Sequence, residues 1–110
     1  MDPNTWTPVI SLSELLEEEL TSVDVEGQPV LLFRMGERVS AVGGRCTHQG
    51  MPLASGNVDF LGSEPIVTCP AHGSQFRLDD GRVVRSPAQS PLPRFETRIV
   101  DGGVEVRALS

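Results

Sequence analysis

Glycine and proline interrupt this chain at short intervals, and these interruptions limit which folds it can form. The 110 residues include 11 glycines and 9 prolines, a combined share above that of ordinary globular proteins. Between the breaks lie short segments that are mostly apolar, such as 30–35, or rich in β-branched residues, such as 95–100. Short apolar segments separated by turn residues are typical of antiparallel sheets. The sequence therefore predicts an all-β sandwich or barrel, with residues 1–110 forming a single domain.

The predicted strands are the segments that alternate or that carry β-branched residues between turns. Asp-Asp-Gly at 79–81, Asp-Gly-Gly at 101–103 and Gly-Glu at 36–37 are turn sequences. The Gly36-Glu37 turn lies between segments 30–35 and 38–42, which should therefore pair as a hairpin. The full set of predicted strands is 6–10, 23–26, 30–35, 38–42, 65–68, 75–78, 82–84, 95–100 and 104–107.

One segment near the N-terminus has a helical pattern instead. Ser11 is followed three residues later by Glu14, as in a capping box. Leucines at positions 12, 15 and 16 supply one apolar face. We therefore expect one short N-terminal helix that ends near Glu19, with its glutamates forming a solvated face rather than a docking patch.

Charge and hydropathy exclude several classes of partner. The net charge is −6, which disfavours binding to a nucleic-acid backbone and favours steering toward a basic protein surface. No segment approaches the roughly 18 consecutive apolar residues that a membrane span needs. The first residues lack the pattern of a signal peptide. We expect a cytoplasmic, monomeric protein that contacts neither nucleic acid nor membrane.

The two cysteines and two histidines fall into two short clusters. The first is Cys46-Thr-His48 and the second is Cys69-Pro-Ala-His72, with 20 residues between His48 and Cys69. Each cluster supplies one thiolate and one imidazole, so two loops could hold a metal centre between them. A glycine follows each cluster, and Gly50 would let the first loop turn tightly beside a cofactor.

Two other roles for these residues remain open at this point. A tetrahedral zinc site with two Cys and two His uses the same ligands, although zinc fingers usually pair like ligands within each loop. A disulfide between Cys46 and Cys69 would suit a secreted domain, which the N-terminal sequence does not indicate.

The two clusters and their flanking residues resemble the Rieske [2Fe–2S] signature. The matching residues are Cys46-Thr-His48-Gln-Gly and Cys69-Pro-Ala-His72-Gly-Ser-Gln-Phe. The resemblance implies one [2Fe–2S] cluster per chain, with Cys46 and Cys69 on one iron and His48 and His72 on the outer iron through Nδ1. It also implies a β-sandwich or barrel with a smaller cluster-binding subdomain.

By the same resemblance, three loops should surround the cluster. These are 43–56, 69–76 and 86–93, and the third carries Pro87 in a stretch with three prolines. We expect Gly50 and Pro87 to lie beside the ligands.

The chain departs from the Rieske proteins of respiratory complexes at three positions near the ligands. Met51 and Ala71 replace the two cysteines whose disulfide joins the ligand loops there, and we expect no membrane anchor of the kind that those proteins carry. Ser74 keeps one of two hydroxyls that bond cluster sulfur, whereas Phe76 replaces the other. Because such hydrogen bonds favour the reduced state, we expect a lower reduction potential than in the respiratory proteins.

The function implied by the resemblance is one-electron transfer. Both histidines are used by the cluster, so no 2-His-1-carboxylate set remains for a catalytic iron. We therefore expect no enzyme activity from the chain alone, but a carrier between a flavin reductase and a terminal oxygenase. The alternative within the family is the small subunit of an assimilatory nitrite reductase. A zinc-stabilised interaction module is an alternative from a different class.

Overall fold

The computed structural model describes residues 5–109, which form antiparallel strands in two sheets. Most of the strands begin and end within one or two residues of the ranges that alternation and turn residues predict. The strand bounds are β1 Thr7–Ser11, β2 Leu20–Val25, β3 Gln28–Met35, β4 Arg38–Gly43, β5 Asn57–Leu61, β6 Glu64–Thr68, β7 Gln75–Arg77, β8 Val83–Arg85, β9 Arg94–Val100 and β10 Gly103–Ala108.

The larger sheet has six strands in the order β1-β10-β9-β4-β3-β2, and its two edge strands lie in contact, so it curls into a near-barrel. The smaller sheet has four strands in the order β5-β6-β7-β8. The prediction of an all-β protein with a smaller subdomain is therefore confirmed. No helix within residues 5–109 has both the length and the hydropathy that crossing a bilayer requires.

Two-residue turns with left-handed backbone close hairpins of the larger sheet. Asp101 and Gly102 have φ of 49° and 77° between β9 and β10, and Glu26 and Gly27 have φ of 52° and 83° between β2 and β3. Positive φ at both central residues is the type I′ geometry, which matches the twist of the flanking strands. The Asp-Gly turn predicted at 101–103 is confirmed.

Strand β3 is buried on both faces because it separates two apolar cores. Val30 and Leu32 face the core of the near-barrel, whereas Leu31 and Phe33 face the core shared with the smaller sheet. This explains the nearly continuous apolar run in the sequence. The shared core also contains both cysteines and consists of Leu31, Phe33, Val42, Cys46, Leu53, Val67, Cys69, Phe76, Leu78, Ala88 and Leu92.

The prediction of a short N-terminal helix that ends near Glu19 is wrong. Residues Leu12–Glu14 form a single 3₁₀ turn, and the Ser11 side chain makes no capping hydrogen bond. The Arg34 guanidinium on β3 donates to the carbonyl oxygens of Leu12 and Leu15, at 3.1 and 3.0 Å. These carbonyls are the acceptors that a continuing helix would have used. Tertiary contact with β3 therefore replaces the helix that the local pattern favoured.

Strand β5, Asn57–Leu61, was not predicted. It is the edge strand of the smaller sheet and most of its side chains are exposed. The Phe60 ring lies 6.4 Å from that of Phe33, which links this edge to the larger sheet. Its pairing with β6 stabilises the strand, and a half-exposed edge leaves only a weak pattern in the sequence.

Candidate metal centre

The four predicted ligands lie on two loops that leave neighbouring strand ends. The first loop follows β4 and the second connects β6 to β7. Cys46 and Cys69 are buried and both thiols are free, so a disulfide between them is not formed. His48 and His72 are exposed. The imidazole rings are 5.3 Å apart, edge to face.

The two loops share one pattern of backbone hydrogen bonds. In the first, the N–H of Cys46 donates to the carbonyl of Met51 at 2.8 Å, and that of Gly50 donates to the carbonyl of Cys46 at 2.7 Å. In the second, the N–H of Cys69 donates to the carbonyl of Ser74 at 2.8 Å, and that of Gly73 donates back to Cys69 at 3.1 Å. Each cysteine is thus held at the start of the same kind of turn.

Glycine is required at the equivalent position of both turns. Gly50 and Gly73 have φ of 75° and 82°, a conformation that L side chains adopt only with strain. A Cβ atom at either position would meet no other atom within 4 Å, so backbone conformation rather than crowding sets the requirement. Gly50 thus lets the first loop turn tightly at this point.

The donor set fits a centre with two metals, each bound by two protein ligands. The structure shows two buried thiols and an adjacent pair of surface imidazoles. Among residues 5–109 no three Cys, His, Asp or Glu side chains converge on a single point. A [2Fe–2S] cluster with two His in place of two Cys needs two protein ligands on each iron, so the pairwise arrangement suits it.

The third predicted loop, 86–93, is hydrogen-bonded to both ligand loops. The Thr47 hydroxyl donates to the carbonyl of Ser90 at 2.6 Å. The backbone N–H of Ala88 donates to Oγ of Ser74 at 3.0 Å. Pro87 follows a cis peptide bond and is half-buried at the start of this loop. The loop therefore connects the two ligand turns without a covalent bridge.

Sequence reasoning missed Thr47 because its acceptor is a backbone carbonyl 43 residues away. Ser74 and Phe76, both named from the resemblance, are buried, and Phe76 packs in the core that holds the cysteines. Met51 and Ala71 are exposed, so no side chain there braces the two loops.

The comparisons with known proteins place this site in a family. The family model of the Rieske [2Fe–2S] domain matches residues 5–96. The chain therefore belongs to the Rieske [2Fe–2S] domain family, and its cofactor is the Rieske [2Fe–2S] cluster. The predicted family and cofactor are confirmed.

Similar proteins include both small ferredoxins and larger oxygenases. The anthranilate 1,2-dioxygenase ferredoxin subunit of Burkholderia cepacia is 30% identical over 101 residues, which cover 92% of this chain and 90% of that protein. The terminal oxygenase component CarAa of carbazole 1,9a-dioxygenase from Sphingomonas sp. is 40% identical over 81 residues, or 74% of this chain. The matched region spans only 21% of that oxygenase.

Solved structures of two kinds of small protein are similar to this chain. The complex of reduced oxygenase and oxidized ferredoxin in carbazole 1,9a-dioxygenase matches with a TM-score of 0.81 and 30% identity, covering 93% of this chain and 92% of that one. The structure described as a putative NADH-dependent nitrite reductase small subunit from Mycobacterium tuberculosis has a TM-score of 0.82 and 26% identity, covering 96% of both chains.

Proposed function

We propose that this protein is the ferredoxin component of a Rieske oxygenase system and carries single electrons from a flavin reductase to a terminal oxygenase. The observation that carries the proposal is the pair of exposed imidazoles, 5.3 Å apart, on the same two loops that carry two buried thiols. Near-complete mutual coverage with a dioxygenase ferredoxin subunit supports the same role. A carrier of this kind needs no catalytic residues of its own, and we propose that it works as a monomer in the cytoplasm.

In this proposal Cys46 and Cys69 hold the inner iron, and His48 and His72 hold the outer one. When bound, the cluster supplies a one-electron couple, whose potential is raised by replacing two anionic thiolates with neutral imidazoles. The buried thiols exclude water from the inner side of the site. The exposed imidazole edges let the flavin reductase approach closely to deliver an electron. They later let the terminal oxygenase approach closely to accept it.

Iron and sulfide analysis with EPR tests the cofactor and its ligands together. We expect two irons and two sulfides per chain and a rhombic signal after reduction with dithionite. Cys46→Ser or His72→Ala should lose most of the bound iron. Gln49→Ala, an exposed neighbour on the first loop, is the matched control and should keep it. A colourless protein that binds stoichiometric zinc instead would refute the proposal.

The nitrite reductase small subunit remains the second candidate because that structure covers 96% of this chain. The two candidates differ in what the protein binds. A ferredoxin purifies alone and accepts electrons from a flavin reductase. A nitrite reductase subunit co-purifies with a sirohaem-containing partner.

A further inference from the structure

From Cys46 onward, the loops that surround the candidate centre contain no charged residue. The chain has 9 basic and 15 acidic residues, and none of them lies in 46–56, 69–76 or 86–93. We call these three segments the tip. Besides the two histidines, the tip exposes Thr47, Gln49, Met51, Pro52, Pro70 and Ala71. The net charge of −6 therefore resides on the rest of the molecule.

Three arginines lie at the base of the tip. Arg45 lies in the first loop directly before Cys46, and Arg85 and Arg94 flank the third loop. Arg94 pairs with Val42 at the end of β4, and Arg85 pairs with Gln75 beside the second loop. All three side chains are exposed, and within residues 5–109 none has a carboxylate at ion-pair distance.

Two acidic residues that precede Gly81, beside the third loop, are engaged within the chain, whereas Asp24 lines a cavity together with Arg45. Asp79 accepts a hydrogen bond from the Ser40 hydroxyl at 3.1 Å and pairs with Arg38 at 3.0 Å. Asp80 accepts the backbone N–H of Arg82 at 3.0 Å. Both carboxylates are therefore occupied by contacts within the chain.

An apolar cavity lies beside Arg45. Its volume is about 370 Å³, and it is lined chiefly by Pro29, Pro93 and Phe95 together with the backbone of Gly43. Cys46 and Thr47 of the first loop also line it, so the cavity continues the exposed surface of the tip. It could accept one apolar side chain from a partner.

We propose that the tip contacts its electron-transfer partner through a surface that is uncharged at the centre and basic at the rim. The matching partner surface is then apolar with carboxylates at its edge. This inference rests on the proposed function, and it reverses the basic partner that net charge alone suggests. The reason is screening: at 0.1 M salt charges act over only about 10 Å, so Arg45 and its neighbours outweigh remote glutamates at the point of contact.

The salt dependence of electron transfer to small oxidants tests the sign of the local charge. Each reduced protein gives one electron to ferricyanide, an anion, or to hexaammineruthenium(III), a cation. We expect the ferricyanide rate to fall and the hexaammineruthenium rate to rise as ionic strength increases. The opposite slopes would follow the net charge of −6 and would overturn the inference. Electron transfer to neither oxidant would instead refute the proposed function.

Single substitutions locate the effect. Arg45→Gln should slow the ferricyanide reaction at low salt on the order of twofold to fivefold, since a cation near the contact is removed. Arg98 lies on β9 away from the tip and pairs with Glu105. Arg98→Gln changes the net charge by the same amount as Arg45→Gln, but it should change the ferricyanide rate far less. Equal effects of the two substitutions would contradict a local role for Arg45.

Binding of an unreactive anion gives a readout that does not depend on electron transfer. Ferrocyanide cannot reduce a low-potential centre, so it can be titrated into the oxidised protein while arginine Nε–H signals are followed by NMR. We expect shifts at Arg45, Arg85 and Arg94 and none at Arg98. Shifts confined to other arginines would overturn the proposal. So would self-association that lowers the ferricyanide rate as protein concentration rises, because a second copy would then cover the tip.

Discussion

Ser74 shows how one buried hydroxyl can serve two neighbours. Its Oγ accepts the N–H of Ala88, and the side chain is 1% exposed. Accepting this bond leaves the hydroxyl proton available as a donor. The backbone contact and the hydrogen bond to cluster sulfur suggested by the family resemblance are therefore compatible, and each gives a separate measurable effect.

We predict that Ser74→Ala lowers both the reduction potential and the stability. Losing a donor to sulfur removes about 1 kcal/mol of preference for the reduced state, which is roughly 40 mV for one electron. Leaving the Ala88 N–H buried without an acceptor costs about 1–3 kcal/mol. Voltammetry and thermal unfolding measure the two effects. Ser40→Ala removes a hydroxyl bonded to Asp79 away from the ligand loops and should change only stability.

The complementary prediction concerns Phe76, which is fully buried in the core that contains both cysteines. Phe76→Tyr supplies a hydroxyl donor and should raise the potential by up to roughly 40 mV. Phe33→Tyr is the control and makes the same chemical change on β3. Phe33 pairs with Ser40 of β4, before the end of β4 where the first loop begins. This substitution should leave the reduction potential unchanged. A potential for Phe76→Tyr that is equal to or below the original value would refute the argument.

At the scale of elements, backbone contacts of the proline-rich loop position the ligand turns. Gly43 donates its N–H to the carbonyl of Pro93, and Leu92 donates to the carbonyl of Gly81, both at 2.9 Å. A Cβ atom on Gly81 would lie 2.5 Å from the Leu92 carbonyl oxygen. Close backbone approach of this kind holds the loop in place where Met51 and Ala71 cannot form a disulfide.

We predict that Gly81→Ala destabilises the protein more than Gly102→Ala does. Both glycines have nearly equal positive φ, 79° and 77°, so both substitutions cost about 1–2 kcal/mol of backbone strain. Only Gly81 also meets the Leu92 carbonyl, and relieving that overlap adds about 1–3 kcal/mol. Urea unfolding measures the difference. Equal losses would mean that the loop yields freely at this point.

At the scale of the whole molecule, only one of the two hydrophobic cores contains the cysteines that would hold the cluster. The core of the near-barrel contains Val30, Leu32 and Val104 and neither cysteine, whereas Cys46 and Cys69 belong to the core shared with the smaller sheet. Metal binding contributes to folding where its ligands lie. Strands β1, β9 and β10 can therefore serve as a support that depends on the cluster less than β5 to β8 do.

Removal of the cluster should loosen the two sheets unequally. In the iron-free protein we expect amides of β5 to β8 to lose protection from hydrogen exchange, while those of β1, β9 and β10 keep most of theirs. Mass spectrometry of deuterated peptides measures this, with the iron-loaded protein as the reference. Uniform loss of protection across both sheets would contradict the division into two cores.

The sequence by itself determined the local features of this protein. Turn residues and alternation specify most strands and the turn at Asp101-Gly102, because each depends on backbone preferences within a few residues. The spacing of Cys46, His48, Cys69 and His72 indicated the family, since ligand types at fixed offsets are also local. The tertiary structure alone decided the rest. The Leu12–Glu14 turn replaced a helix because Arg34 competes for its carbonyls, and the Thr47–Ser90 bond joins loops 43 residues apart. Such contacts depend on how distant segments meet, which no local pattern specifies.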